Sequence, residues 1–271
     1  MTTGEETGSS VLQEDRMTEQ TRKAEQFRGL HIPGRPLVLF NIWDAGSAKA
    51  VANTGAKAIA TSSWSVADAN GFADGEHVPL VFAIDNLSRI VAATDLPVTI
   101  DLETGYGDSS EAIDETIRLA IDAGAVGCNL EDSFTANGTL RETSDQADRI
   151  RHARQAADAA DIRFFINART DIFFQRADEQ HTDAMVFEAI ERARAYADAG
   201  ADGLFTPGLT DIAFIARLAQ ASPVPLNIMV GDATPPLRIL AENGVARVSH
   251  GPGPYILAMK TLKEAARSSR G

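Results

Sequence analysis

Three carboxylates, Asp101, Glu103 and Glu131, stand where two apolar runs of the sequence end. Asp101 and Glu103 alternate along one extended segment, so both can point the same way, and Glu131 arrives from the next run. Carboxylates converging with no cysteine or histidine pair suit a hard, oxygen-seeking cation, Mg²⁺ or Mn²⁺, better than zinc. A lone aspartate at a strand end serves equally well as a helix cap or loop anchor, the use assigned to Asp132 and Asp171. It fits the grouped carboxylates less well, because like charges repel unless a cation joins them. Arg169 ends the run FFINAR. A structural ion pair is one use for it, and binding a substrate carboxylate is the favoured one.

The elements that must position these groups repeat along the chain. Short runs rich in Val, Ile, Leu and Phe (Leu37–Ile42, Ala58–Thr61, Val98–Asp101, Gly127–Leu130, Phe164–Ala168, Gly203–Phe205, Leu226–Met229 and Arg247–Ser249) alternate with longer Ala-rich stretches of helical period. Continuous apolar runs suit strands buried on both faces, as in a parallel sheet covered by helices. Helices end in NTGAKAIA, DAGAVGCNLE, DAGADGLFT and ENGVARVSH, each with a glycine where a C-cap belongs and a strand at once after it. Repeated βα units predict an α/β fold, a (β/α)₈ barrel over residues 17–271 in one domain. The first strand is not followed by GxGxxG, which lowers the dinucleotide-binding alternative. A helix is expected from Met17 to just before His31. Residues 1–16, polar and acidic, read as a disordered tail, and Met17 is an alternative start.

Barrel enzymes work at the C-terminal ends of their strands. The segments there are Ser62-Ser63-Trp64-Ser65, the loop Gly71–Gly75 with Asp74, Asp101–Gly107, Glu131-Asp132, Arg169-Thr170-Asp171, Thr206–Gly208, Gly231-Asp232 and His250–Gly253. Gly251 and Gly253 form either a phosphate cradle or a plain turn. His250 is a weaker candidate, His152 and His181 read as surface, and Cys128 as a core residue.

Bulk composition narrows the function class. Of 271 residues, 44% are hydrophobic and 23% charged, an ordinary globular balance. The formal net charge of −13 argues against nucleic acid and anionic membrane as partners, since both need a basic surface. It leaves a small anionic substrate open, because one arginine and a metal ion can dominate a local field. No apolar run reaches the roughly 18 residues of a membrane span, and the N-terminus lacks a signal-peptide core. A single cysteine forbids an internal disulfide framework. A cytoplasmic protein is expected.

The text from Phe40-Asn41-Ile42-Trp43-Asp44 through Ser62-Ser63, Gly71–Gly75 and Asp101–Gly107 resembles the isocitrate lyase/phosphoenolpyruvate mutase superfamily. So do Leu130-Glu131-Asp132, Asn167–Asp171 and Glu191–Asp202. The resemblance implies a (β/α)₈ barrel whose eighth helix is exchanged between subunits of a homodimer or homotetramer. It implies that Asp101 ligates Mg²⁺ directly while Glu103, Glu131 and Asp74 hold its waters or complete its shell. Ser62 and Ser63, helped by Arg169, would bind the substrate carboxylate and 2-oxo oxygen, with Trp64 beside them. The shared chemistry is an enolate-like pyruvyl intermediate stabilised by metal, guanidinium and backbone N–H groups. Arg169, Asp74 and Glu131 are the expected catalytic groups.

The departures shape the reading. The lyases carry Lys-Lys/Arg-Cys-Gly-His after the Glu-Asp of strand four. Here the loop reads Ser133-Phe134-Thr135-Ala136-Asn137-Gly138-Thr139-Leu140, with no Cys, Lys or His. Asn137 can fill the place of the phosphonate enzymes' gating asparagine, but their lysine is missing. Of the lyase segment Asn-x-Thr-Glu-Phe-Gly only Asn227 is retained, and Glu103 replaces the commoner aspartate. These residues predict Mg²⁺-dependent C–C cleavage of a small 2-oxo carboxylate, with oxaloacetate decarboxylation the simplest case. Phosphoenolpyruvate mutase or phosphonopyruvate hydrolase chemistry is the alternative, followed by a non-catalytic 2-oxo-acid-binding barrel. A phosphate-binding biosynthetic barrel rests only on Gly251, Gly253 and fold analogy.

Overall fold

The computed structural model describes residues 19–270. The tail expected at 1–16 and the alternative start Met17 lie outside the described residues. Eight parallel strands run in the order β1-β8-β7-β6-β5-β4-β3-β2. They are β1 (Leu37–Leu39), β2 (Ile59–Ala60), β3 (Val98–Asp101), β4 (Gly127–Glu131), β5 (Phe165–Arg169), β6 (Gly203–Thr206), β7 (Leu226–Met229) and β8 (Arg247–Ser249). Just past β1 and β2 a parallel bridge, Ile42 to Thr61, brings the two edges together. Ile42 N donates to the Ala60 carbonyl (2.9 Å) and Ser62 N to the Ile42 carbonyl (3.1 Å), closing the sheet into the (β/α)₈ barrel.

Helices cover the outside: α1 (residues 19–29), α2 (Ala45–Ala52), α3 (Ser63–Ala69), α4 (Leu80–Val91), α5 (Ser110–Asp122), α6 (Thr143–Ala159), α7 (Asp183–Asp198), α8 (Ile212–Ala221), α9 (Leu237–Glu242) and α10 (Gly253–Ser268). Local sequence explains their bounds. Asp44, Ser109, Thr182 and Asp211 each accept a backbone N–H at the start of a helix. The four predicted glycine joints, Gly55, Gly124, Gly200 and Gly244, all adopt left-handed φ between 83° and 106°.

The core lies between barrel and helices. Cys128, Leu130, Ile166, Ala168, Leu204 and Ile228 point outward into it from their strands. The alternate residues turn inward, so barrel-facing side chains on β3 to β8 include Asp101, Asn129, Asn167, Asn227 and Arg247. Helix α1 closes the N-terminal end. Its Phe27 sits edge-on to Phe165 (5.5 Å), and His31, just past it, stacks on the same ring (4.0 Å). Among the described residues no helix is long and apolar enough to cross a membrane.

Candidate active site

The inward residues nearest the C-terminal ends of β3, β4 and β5 are Asp101, Glu131 and Arg169. They occupy adjacent strands, with Glu131 directly beside Arg169 in the ladder. Arg169 Nη1 meets Glu131 Oε2 at 2.8 Å, while its Nε and Nη2 donate to the two oxygens of Asp171 (2.6 and 3.0 Å). Asp171 also accepts from the Ser133 hydroxyl (2.8 Å). The guanidinium is thus gripped on two edges by carboxylates, and the rings of Phe174 and Phe205 stand 5.4 and 5.9 Å from its centre. Burial opposes its charge, but Glu131 and Asp171 more than offset that and bind its proton more tightly than usual.

Asp101 is held from the side of α3. The Ser63 amide and hydroxyl donate to its Oδ2 (3.3 and 2.9 Å), whereas Oδ1 is buried with no protein partner. Asp74 lies within hydrogen-bonding reach of the Ser63 hydroxyl and the Gly75 amide; burial and the Asp101 charge raise its pKa. Glu103 is 5% exposed, and its Oε2 accepts from the amides of Gly75 and Glu76 (2.8 Å each). Burial, then Asp74 and Asp101, push it up to about 8. Burial also pushes Glu131 up to about 8 against the pull of Arg169. Protonation raised in several neighbouring carboxylates is the signature of crowded negative charge that a cation would relieve.

Among the described residues no three His, Cys, Asp or Glu side chains form a cage of metal ligands. The expected trio Asp101, Glu103 and Glu131 is therefore not gathered as one direct shell: Glu103 turns to backbone amides and Glu131 to Arg169. A Mg²⁺ ion keeps several waters and needs only one or two carboxylates. The orphaned Asp101 Oδ1 amid raised-pKa carboxylates fits that arrangement, with Asp101 the direct ligand and Asp74, Glu103 and Glu131 around it. A cavity of about 20 Å³ borders Ser63, Asp101, Glu103 and Tyr106, room for about one water.

Other expected residues sit elsewhere. Ser62 caps α3, its hydroxyl accepting from Ser65 (3.0 Å), so it acts one step behind Ser63. Trp64 packs edge-on to Tyr255 of α10 (6.0 Å). Asn227 is buried inside the barrel, accepting from Ser249 (3.2 Å), with its amide nitrogen unpartnered. Asn137 lies exposed in the Ser133–Leu140 hairpin, where its Oδ1 accepts from the amide and hydroxyl of Thr139 (2.9 and 2.7 Å). Its side chain braces its own turn. The amides of His250 and Gly251 both donate to Asn41 Oδ1 (2.9 and 3.0 Å), which resolves that segment as a turn.

Residues the sequence left unassigned also matter. Asp171, read as a cap, orients Arg169. Asp132, read the same way, is fully buried and joins α7 to the strand ends through Arg192 (3.1 Å) and the Tyr196 hydroxyl (2.9 Å). Glu76 accepts from the Thr104 hydroxyl (2.6 Å) and the Tyr106 amide (2.7 Å). The only available signal was its place beside Gly75 in a loop over β3. Gly105 is required by packing, because a Cβ there would fall 2.4 Å from Ile113 Cδ1 and 3.0 Å from Leu130 Cδ1.

The family model described as phosphoenolpyruvate phosphomutase matches residues 27–270. An uncharacterized protein of Mycobacterium tuberculosis is 36% identical over 244 residues, 89% of this chain and 88% of that protein. The 2-methylisocitrate lyase of Escherichia coli is 32% identical over 226 residues, 76% of this chain and 73% of the lyase. A crystal structure from Burkholderia cenocepacia, provisionally named a phosphonomutase, superposes with a TM-score of 0.90 at 56% identity. It covers 92% of this chain and 99% of its own. With a barrel of this topology, and with Asp101, Glu131 and Arg169 on neighbouring strand ends, the chain belongs to the isocitrate lyase/phosphoenolpyruvate mutase superfamily.

Proposed function

We propose that this protein is a Mg²⁺-dependent enzyme that converts a small 2-oxo carboxylate to its enolate by breaking a bond to C3, with C–C cleavage as the lead reaction. The observation that carries the reading is the unpartnered, buried Asp101 Oδ1 within electrostatic reach of a guanidinium fixed by two carboxylates. A Mg²⁺ ion held at Asp101 supplies Lewis-acid polarisation of the substrate's C2 oxygen.

The chain's own residues do the rest. Ser63 fixes Asp101 through Oδ2 and leaves Oδ1 free to ligate. Arg169, unable to swing because Glu131 and Asp171 hold it, meets negative charge as it develops; one such preorganised donor is worth roughly 3–4 kcal/mol. Burial keeps Glu131 and Asp74 close to protonation. They are the groups assigned to hold the proton exchanged at C3.

P–C chemistry is the second reading. The description of the matching family model and the name of the 56% identical structure favour it. The hairpin after β4 offers neither the lysine of the phosphonate enzymes nor an asparagine turned toward the mouth.

Proton exchange tests the common step whatever the leaving group. With Mg²⁺ in D₂O, the C3 protons of pyruvate should exchange, followed by NMR, and exchange should stop in Asp101→Ala. A turnover screen over oxaloacetate, 2-methylisocitrate, isocitrate, 2,3-dimethylmalate and phosphonopyruvate then separates the two bond types. Turnover of phosphonopyruvate alone promotes the second reading. No exchange and no turnover, with Mg²⁺ bound, leaves a barrel that binds without catalysing.

The expected subunit exchange belongs to the same proposal. Only Pro254 and Tyr255 of α10 are buried, while Ile256, Leu257 and Leu262 are exposed. A groove of about 560 Å³ lies between α2 and the start of α10. An α10 from a second copy, laid over that face, would cover these side chains. Sedimentation should give a dimer or tetramer that Leu257→Glu dissociates.

A further inference from the structure

We infer that the substrate carries an uncharged, apolar group on C3, received by an arc formed by Phe174, Phe205 and Met229. The inference rests on the 2-oxo carboxylate reading above and narrows its substrate class.

Around the mouth the inward strand-end residues change character in order. Asp101 and Glu131 on β3 and β4 are acidic, and Arg169 on β5 is cationic. Phe205 on β6 and Met229 on β7 are apolar. The ladder pairs Arg169 with Phe205. The outward neighbours Leu204 and Ile228 belong to the hydrophobic core behind the sheet, whereas Phe205 and Met229 do not. Alternation along the strands therefore turns these two toward the mouth. Phe205 closes on Arg169 from one side and the half-exposed Phe174 stands over it on another. Met229 packs on the turn after β8, its Sδ 2.9 Å from where a Cβ on Gly251 would lie.

A head group anchored at Asp101 and Arg169 must point its C3 substituent away from the acidic strands, toward this arc. A carboxylate or phosphonate sent there finds no free cation. Arg169 is already shared by two carboxylates. Arg141 pairs with Asp108 (2.5 Å) and lies 4.1 Å from the Phe134 ring centre. Arg149 is spent on the carbonyls of Thr104, Gly107 and Asp108, and Arg192 on Asp132. An anion stripped of water without a counter-charge is disfavoured, whereas an alkyl group gains from every methylene buried.

Calorimetric titration of the full chain in Mg²⁺ tests this with oxalate, 2-oxobutanoate, 2-oxopentanoate, 2-oxo-4-methylpentanoate, oxaloacetate and phosphonopyruvate. Affinity should rise along the alkyl series by about fourfold per methylene. Oxaloacetate and phosphonopyruvate should bind roughly tenfold or more weakly than 2-oxo-4-methylpentanoate. Met229→Lys should reverse that order, and Met229→Ala should lower the ratio of 2-oxo-4-methylpentanoate to oxalate affinity. If oxalate fails to bind with Mg²⁺, the 2-oxo carboxylate reading itself falls. If oxalate binds but either dianion-bearing ligand outbinds the alkyl series, or neither Met229 variant moves the ratios, the apolar arc is wrong and the broader reading stands.

Discussion

Glu76 and Glu103 hold each other's backbone. Glu103 accepts from the amides of Gly75 and Glu76, and Glu76 accepts from the Thr104 hydroxyl and Tyr106 amide. The clasp ties the loop carrying Asp74 to the turn after β3. It holds Glu76, Glu103 and Tyr106 at left-handed φ of 62°, 53° and 59°, conformations that cost of order 1 kcal/mol or more apiece. Charge-assisted hydrogen bonds, each worth about 1.5–3 kcal/mol, offset that strain.

Removing one half of the clasp should free the loop. In Glu76→Ala the Tyr106 amide loses its acceptor, and stability should drop by about 2 kcal/mol. Activity should fall further, by roughly 100-fold, because displacing Asp74 by an ångström spoils the reacting geometry. Chemical denaturation measures the first, and kinetics on the identified substrate the second. Faster amide exchange confined to residues 71–78 would locate the change. A variant with unchanged loop exchange and full activity would show that the clasp does not position Asp74.

Asp101→Ala should abolish Mg²⁺ binding while the barrel stays folded. Ser63, the residue that loses a partner, sits at the first turn of α3, where water can replace the lost acceptor. Calorimetric titration with Mg²⁺, beside a circular dichroism melt, gives both readouts. Retained Mg²⁺ affinity would move the direct ligand to Glu131 or Asp74.

Arg169 should separate charge from shape. Arg169→Lys keeps a cation but cannot reach Glu131 and both Asp171 oxygens at once. Catalysis should fall by about 10²–10³-fold, the worth of one preorganised donor, with a modest fall in melting temperature. Arg169→Ala leaves two buried carboxylates unpaired and should cost about 3–5 kcal/mol of stability. If the lysine variant matched the native rate, Arg169 would be a structural ion pair alone.

What the sequence revealed follows from what periodicity encodes. The runs Val98–Asp101, Leu226–Met229 and Arg247–Ser249 are strands to the residue, and the rest differ at their ends by one to three residues. Asp101, Glu131 and Arg169 were legible because a strand end in a barrel is an address. Glu76 was not, since its role depends on a left-handed turn that returns to strand three from a loop. Asp132 and Asp171 looked like caps because a cap and a buried partner share one sequence signature; Arg192 and Arg169, which decide between the two, are distant or ambiguous in the chain. Asn137 matched a family position, yet Thr139 two residues later captures its side chain.

His31 gives a prediction about folding alone. Its ring is 7% exposed, stacked on Phe165, with Nδ1 2.8 Å from the Phe27 carbonyl oxygen. Burial first, then the charges of Arg247 and Arg28, hold the imidazole at about 3, below its ordinary 6.5. Between those two values the unfolded chain binds the extra proton. The contribution is therefore complete above about pH 6.5 and is lost as the pH falls toward 3, at up to about 1.4 kcal/mol per pH unit. Glu103 and Glu131 act with the opposite sign, because their raised values make the folded state the better proton acceptor between about 4.5 and 8. Total stability thus mixes the two, and the difference between the native chain and His31→Phe isolates the histidine. Going from pH 7 to pH 5, the native chain should lose about 2 kcal/mol more than His31→Phe, measured by urea denaturation at each pH. Parallel losses in the two proteins would mean that His31 accepts its proton without leaving the barrel floor.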